Sequence, residues 1–169
     1  MKVFSIRSVP TTNWSSEKPL NFSPKPLTLV MLCFGLFLFG LGESLIITAS
    51  VGMSPWTVLA EGLSVTTKLS IGALTFLISL GVLLLWIPLK QQAGVGTILN
   101  VIIIAAVIEW SLPYLPSPET YPMQIIQAIG GTLVVGIASG IYLIANLGPG
   151  PRDGLMTGCQ KATNLPIAW

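Results

Sequence analysis

Four stretches of almost unbroken apolar residues divide this chain, separated by polar or glycine- and proline-rich segments. They cover Leu27–Val51, Ile71–Leu89, Val95–Leu115 and Met123–Leu147. A helix rises about 1.5 Å per residue, so roughly 20 residues cross the hydrocarbon of a bilayer. The pattern predicts an all-α, polytopic membrane protein of about four transmembrane helices. The second run closes on Pro88 and Lys90, and the third on Pro113 and Pro116, where proline cannot extend a helix. Between the first two runs, Gly52–Ser70 carries Glu61, Lys68 and a Ser-Pro pair. That is too polar for a span of its own, so a short helix at the interface, or one dipping partly into the membrane, is expected.

The fourth run ends in Asn146-Leu-Gly-Pro-Gly-Pro-Arg-Asp-Gly-Leu-Met-Thr-Gly158. Gly148, Pro149, Gly150, Pro151 and Gly154 cannot continue the preceding helix, because proline lacks an amide donor and glycine opens other backbone angles. An earlier version of this break follows the first run, at Ser50-Val-Gly-Met-Ser-Pro-Trp-Thr-Val-Leu-Ala-Glu-Gly62. The two align without a gap at a fixed offset: Gly35, Gly40, Ala49, Gly52, Pro55, Leu59 and Gly62 fall on Gly131, Gly136, Ala145, Gly148, Pro151, Leu155 and Gly158. The chain therefore reads as a tail over residues 1–26, a first repeat over 27–122 and an incomplete second repeat over 123–169. If Gly52–Ser70 does not cross, each repeat has three spans and the second enters the membrane inverted, as in many secondary transporters. If it does cross, the repeats run parallel. Counterparts of the second and third spans would lie beyond Trp169, so a C-terminal truncation is expected.

Composition agrees with the pattern. Of 169 residues 52% are hydrophobic and 8% charged, with a mean hydropathy of +0.81; soluble domains carry about 25% charged residues. The net charge of +2 is too small to point to nucleic acid. The positive residues matter more by position. With the N-terminus inside, Lys2, Arg7, Lys18, Lys25, Lys90, Arg152 and Lys161 are cytoplasmic and only Lys68 is external. This orientation places the first break outside and the second inside, which favours the inverted arrangement. The tail, with Thr11–Ser16, Glu17, Lys18 and three prolines, reads as flexible and cytoplasmic, and lacks the apolar core of a secretory signal. Its two Asn-x-Ser triplets, at Asn13 and Asn21, are too short a pattern to carry weight.

The Leu147–Gly158 run, Gly-Met-Ser-Pro-Trp56 and Leu-Trp-Ile-Pro-Leu89 resemble the YczE/YyaS family of bacterial membrane proteins, often grouped with YitT. The resemblance runs from about Leu27 to Trp169 and implies a multi-pass protein of the bacterial inner (plasma) membrane. It also implies a usually longer chain. In many relatives an acidic residue follows Ser-Pro-Trp; Thr57 stands there in this chain, while Asp153 keeps the equivalent place in the second copy.

The candidate chemistry lies at the breaks. Ser54, Pro55, Trp56, Arg152 and Asp153 are candidate solute-binding residues. Backbone amides at a helix N-terminus, with Arg152, would hold an anion; alternatively Arg152 and Asp153 only cap the next helix, where a carboxylate suits the helix dipole. Glu43 and Glu109 are candidate coupling-ion residues, since ionised carboxylates at membrane depth face a cavity or a partner. Glu109 also reads as an interfacial residue beside Trp110. Asn100 is expected to bond between helices. Gly40/Ser44 and Gly136/Gly140 are expected to let the first and fourth spans approach closely. With no His, and with Cys33 and Cys159 far apart, no Cys/His metal site or disulfide framework is expected. No cofactor and no catalytic residue is expected either. The expected partners are the bilayer and a small solute, with a homo-oligomer or a second membrane protein left open. A small-solute permease and a non-transporting scaffold or regulator of a membrane complex are the two functional readings.

Overall fold

The computed structural model describes residues 11–163, and among these every regular element is helical. The helices are α1 (Pro26–Ala49), α2 (Pro55–Thr67), α3 (Ile71–Trp86), α4 (Val95–Ser111, continued by a 3-10 turn over Leu112–Tyr114), α5 (Tyr121–Ile144) and α6 (Pro151–Thr163). Local chemistry sets their ends. Proline opens α1, α2 and α6, where its missing N–H costs nothing. Ser54 caps α2 by accepting from the Thr57 amide, and Ser70 caps α3 by accepting from the Ala73 amide. Ser50 and Lys68 stop α1 and α2 in the left-handed conformation.

Three of these, α1, α4 with its turn, and α5, are each long and apolar enough to cross a membrane. Helices α2 and α3 meet the same criterion only together, and they are bent by 116° at the residues between them. The polar segment after the first run thus forms a 13-residue helix folded sharply against the next span. Many large apolar side chains face outward, among them Val30, Phe34, Leu84, Ile102, Ile126, Leu133 and Ile137. Such a surface is stable against lipid or another apolar surface and not against water. The chain is a polytopic helical membrane protein.

The core forms where α1 is held between α4 and α5 around Leu32, Leu36, Phe39, Ile104, Ile108 and Tyr142. Gly35 lies against Ile141 and Tyr142, Gly42 against Val135 and Gly131, and Gln127 donates to the Leu45 carbonyl, so α1 and α5 run antiparallel. By the same ordering, Gly40 meets Val107 and Ser111 donates to Ser44, so α1 and α4 run parallel. The expected close approach of the first and fourth spans is present, but other residues make it. Gly35, Gly42 and Gly131 are the contact glycines. Gly40 and Ser44 seat α4 instead, and a Cβ at Gly136 or Gly140 would meet nothing within 4 Å. α1 turns one face to α4 and another to α5, so Gly40 and Gly136, equivalent in the repeat, have different surroundings.

The repeat is visible in the backbone. α1 and α5 are each 24 residues long, and α2 and α6 each open on the proline of their break. In the connecting breaks Ser50 and Asn146 take positive φ, and so do Gly52 and Gly148 two residues later. Antiparallel long helices followed by matching breaks and matching short helices form an inverted pair.

Residues 11–25 are docked rather than loose. The buried Ser16 donates its amide to the Ala145 carbonyl, the Asn146 side chain donates back to the Ser16 carbonyl, and the Thr28 hydroxyl donates to the Trp14 carbonyl. The strap thereby satisfies a carbonyl freed at the end of α5. Residues 1–10 of the expected tail, with Lys2 and Arg7, lie outside the described residues.

Candidate functional site

The two short helices begin at the same place. The break after α5 is pinned by α4: the Gly96 amide donates to the Leu147 carbonyl at 2.7 Å, and the Thr97 hydroxyl to the Pro149 carbonyl at 2.8 Å. Trp86 at the end of α3 donates its indole N–H to the Pro151 carbonyl at 3.1 Å, and its ring lies against Gly154, where no side chain would fit. These contacts hold the first turn of α6 beside Asn100 and Glu43. The first turn of α2 reaches the same glutamate from its own side.

Glu43 is the junction. It is 4% exposed, yet its two oxygens serve both short helices. The Thr57 hydroxyl donates to Oε2 at 2.9 Å, with Ser54 Oγ 2.8 Å from that hydroxyl. Arg152 Nη2 lies 3.8 Å from Oε1. A carboxylate buried in lipid-embedded protein is costly unless paired. Here a hydroxyl, a guanidinium and the positive ends of two helix dipoles answer it. The Arg152 guanidinium also lies over the Phe39 ring, 5.6 Å from its centroid, a cation–π distance.

A second polar pair stands beside the first. Tyr142 donates its hydroxyl to Asp153 Oδ2 at 2.6 Å, and Phe39 packs edge-on against the Tyr142 ring with centroids 6.1 Å apart. Around these groups are two adjoining spaces. One is a small pocket of about 40 Å³ toward α2, α3 and α4, walled by Val82, Val101 and Ile104. The other is a cleft of about 610 Å³ toward α5 and α6, walled by Ser139, Tyr142 and Met156. Glu43, Trp56, Asn100, Pro151 and Arg152 line both.

Of the residues singled out from the sequence, Glu43, Trp56, Arg152 and Asp153 line these spaces together. Ser54 stands one step behind, capping α2 and touching Thr57. Pro55 is exposed and opens the helix. Glu109 does not join them: it is exposed near the end of α4, packed against Gly72. Asn100 makes no side-chain hydrogen bond among the described residues and faces the cavities, so the expected interhelical bond is not formed. Arg152 was counted as a cytoplasmic loop charge; it sits in the cleft against Glu43. Tyr142, Phe39 and Ser139 had no distinguishing signal, since single aromatics and serines in an apolar run read as packing. Thr57 was legible as the repeat counterpart of Asp153.

A model of a family of unknown function, DUF6198, matches residues 27–169. The chain belongs to that family. An uncharacterised protein of Haemophilus influenzae is 39% identical over 157 residues, covering 92% of this chain and 71% of the relative. The uncharacterised membrane protein YczE of Bacillus subtilis is 30% identical over 139 residues, covering 80% and 64%. The resemblance to YczE read from the Gly-Pro-Gly-Pro-Arg-Asp-Gly run is thus borne out. This DUF6198 chain spans roughly two thirds of the length of these relatives. No solved structure matches it.

Proposed function

We propose that this DUF6198 protein is a secondary transporter or permease for a small solute, with the solute site in the cleft between α2 and α6. The observation that carries this reading is Glu43, held at once by Thr57 of α2 and Arg152 of α6. In inverted-repeat transporters the binding site forms where discontinuous helices from the two repeats meet. A carboxylate tied to both short helices is placed to couple an ion to their movement, so Glu43 is the coupling residue of this reading. Glu109, outside the cleft, is left with an interfacial role.

The site lies in a bacterial inner membrane, with the N-terminus inside. Lys18, Lys25 and Lys90 fall at the end of the bundle where α1 and α4 begin, and Lys68 falls at the opposite end. That distribution supports the positive-inside orientation without Arg152. Single cysteines at Lys68 and Lys90, exposed at opposite ends of α3, in a background lacking Cys33 and Cys159, test it: labelling of the first from outside and the second from inside is expected, and the reverse, or labelling of both from one face, overturns this orientation.

The deciding experiment is uptake of a mixed panel of labelled small solutes into proteoliposomes. Accumulation above that of empty liposomes, abolished by Glu43→Gln, is expected. A folded protein that accumulates nothing would shift the assignment to a scaffold or regulator of another membrane complex. One observation favours that second reading: α5 exposes Ile126, Leu133 and Ile137 beside the open Gly136 and Gly140, a surface on which another helix can pack.

A further inference from the structure

The two repeats share their glycines, prolines and left-handed residues, but diverge where they line the cleft. Trp56 faces the place that Arg152 takes in the second copy, Thr57 that of Asp153, Glu43 that of Ser139, and Ile46 that of Tyr142. A symmetric frame with an asymmetric lining calls for a ligand whose two ends differ. The charges say how. Arg152 has its counter-ion in Glu43, 3.8 Å away, and its face covered by Phe39. Asp153 has no cationic partner among the described residues; only the Tyr142 hydroxyl is bonded to its carboxylate. The wider cleft therefore holds two carboxylates and one guanidinium, with the side chains of Trp56, Phe39 and Tyr142 also lining it. Aromatic rings and a surplus carboxylate attract a cation. The same cleft is also lined by Val135, Leu155 and Met156, an apolar side for a short tail, whereas the pocket beyond, about 40 Å³ with Thr75, Ser79 and Asn100 among its walls, is too small for a ring.

Resting on the reading of this cleft as the solute site, we propose that its ligand is a small amphiphilic organic cation, an amine with a short apolar tail. The ammonium group is set against Asp153 and Tyr142, and the tail lies in the same wide cleft against Val135, Leu155 and Met156. The anion site expected from the glycine turn and Arg152 is disfavoured because that guanidinium is already paired. The α2 and α6 dipoles partly offset the carboxylates, which leaves the surplus at Asp153 as the deciding charge.

Three probes of one shape separate the charge from the tail: phenethylammonium, 2-phenylethanol and phenylacetate. Equilibrium binding to the purified protein in nanodiscs is followed by tryptophan fluorescence and calorimetry, with no gradient applied. Saturable binding of the ammonium compound at least about tenfold tighter than the alcohol or the acid is expected. Asp153→Asn keeps an acceptor for Tyr142 and removes the charge, so it should weaken the amine about tenfold or more while binding of the alcohol is unchanged. The same affinity for all three probes, tighter binding of phenylacetate, absence of saturable amine binding, or amine binding undiminished in Asp153→Asn would each overturn the proposal. Amine binding without amine uptake in vesicles would instead sink the transporter reading and leave the cation site standing. Uptake of an anionic solute by a protein that does not bind the amine would do the reverse.

Discussion

The α1–α2 unit and the α5–α6 unit follow one backbone plan and use it differently. Each is a 24-residue helix, a break with two positive-φ residues, and a further helix opened by proline. Each also bonds the third residue of its short helix to its own long helix. In the first unit the carboxylate is on the long helix, Glu43, and the hydroxyl donor is Thr57 on the short one. In the second the roles are exchanged, with Tyr142 donating from the long helix to Asp153 on the short one. The difference teaches that the frame and the chemistry are separable. Glycine, proline and left-handed positions preserve the geometry, while the polar lining is free to become asymmetric. The surroundings differ too. The second break is braced by α4, by Trp86 and by the 11–25 strap, whereas Gly52 in the first has nothing within 4 Å of its would-be side chain.

The sharpest way to break the comparison is at Gly154, whose counterpart is the exposed Val58. A Cβ at Gly154 would fall inside contact with the Trp86 ring. Gly154→Val should destabilise by about 3 kcal/mol or more through overpacking, and Val58→Gly by only about 1 kcal/mol through helix propensity. Thermal unfolding in detergent reads both; equal costs would mean that Trp86 does not seat α6. Next comes the carboxylate. Glu43→Ala leaves Arg152 without its ion pair and should cost about 3 kcal/mol, while Ser139→Ala at the repeat-equivalent site should stay within about 0.5 kcal/mol. A double-mutant cycle with Arg152→Met checks the pairing: a coupling energy near zero would remove the link between α1 and α6.

The breaks themselves give a smaller contrast. Gly148→Ala meets both a positive φ of 112° and the Thr97 hydroxyl 2.7 Å away, whereas Gly52→Ala at φ 151° meets only the backbone preference. The expected costs are about 3 and about 1 kcal/mol, and the difference between the two melting shifts is the measurement. The smallest effect is expected on α5. Gly40→Leu should disrupt the α1–α4 contact, because a Cβ there lies 2.7 Å from Val107, but Gly136→Leu should change stability by less than about 0.5 kcal/mol. A large loss at Gly136 would reveal a helix seated on that face in the membrane.

Much of this was legible in the sequence. The four apolar runs located α1, α3, α4 and α5 to within a few residues, because a helix in hydrocarbon must satisfy its own backbone and so needs a long uninterrupted apolar stretch. The prolines of the two breaks marked where new helices begin, since proline is tolerated in the first turn and nowhere deeper. The offset alignment of glycines announced the repeat, because left-handed backbone positions favour glycine or a short polar residue such as Ser50 or Asn146. What tertiary structure alone decided was which side chains meet. The sequence offered both Glu43 and Glu109 as coupling residues, with Glu109 also reading as interfacial, and the meeting of α2 and α6 at Glu43 decides which carboxylate lines the cleft. The docking of the strap and the turning of Asn100 into the cleft depend on contacts between segments far apart in the chain. So does the pairing that converts Arg152 from a loop charge into the partner of Glu43. Periodicity and turn chemistry are local properties that a sequence states directly; a pairing across more than a hundred residues exists only once the helices have packed.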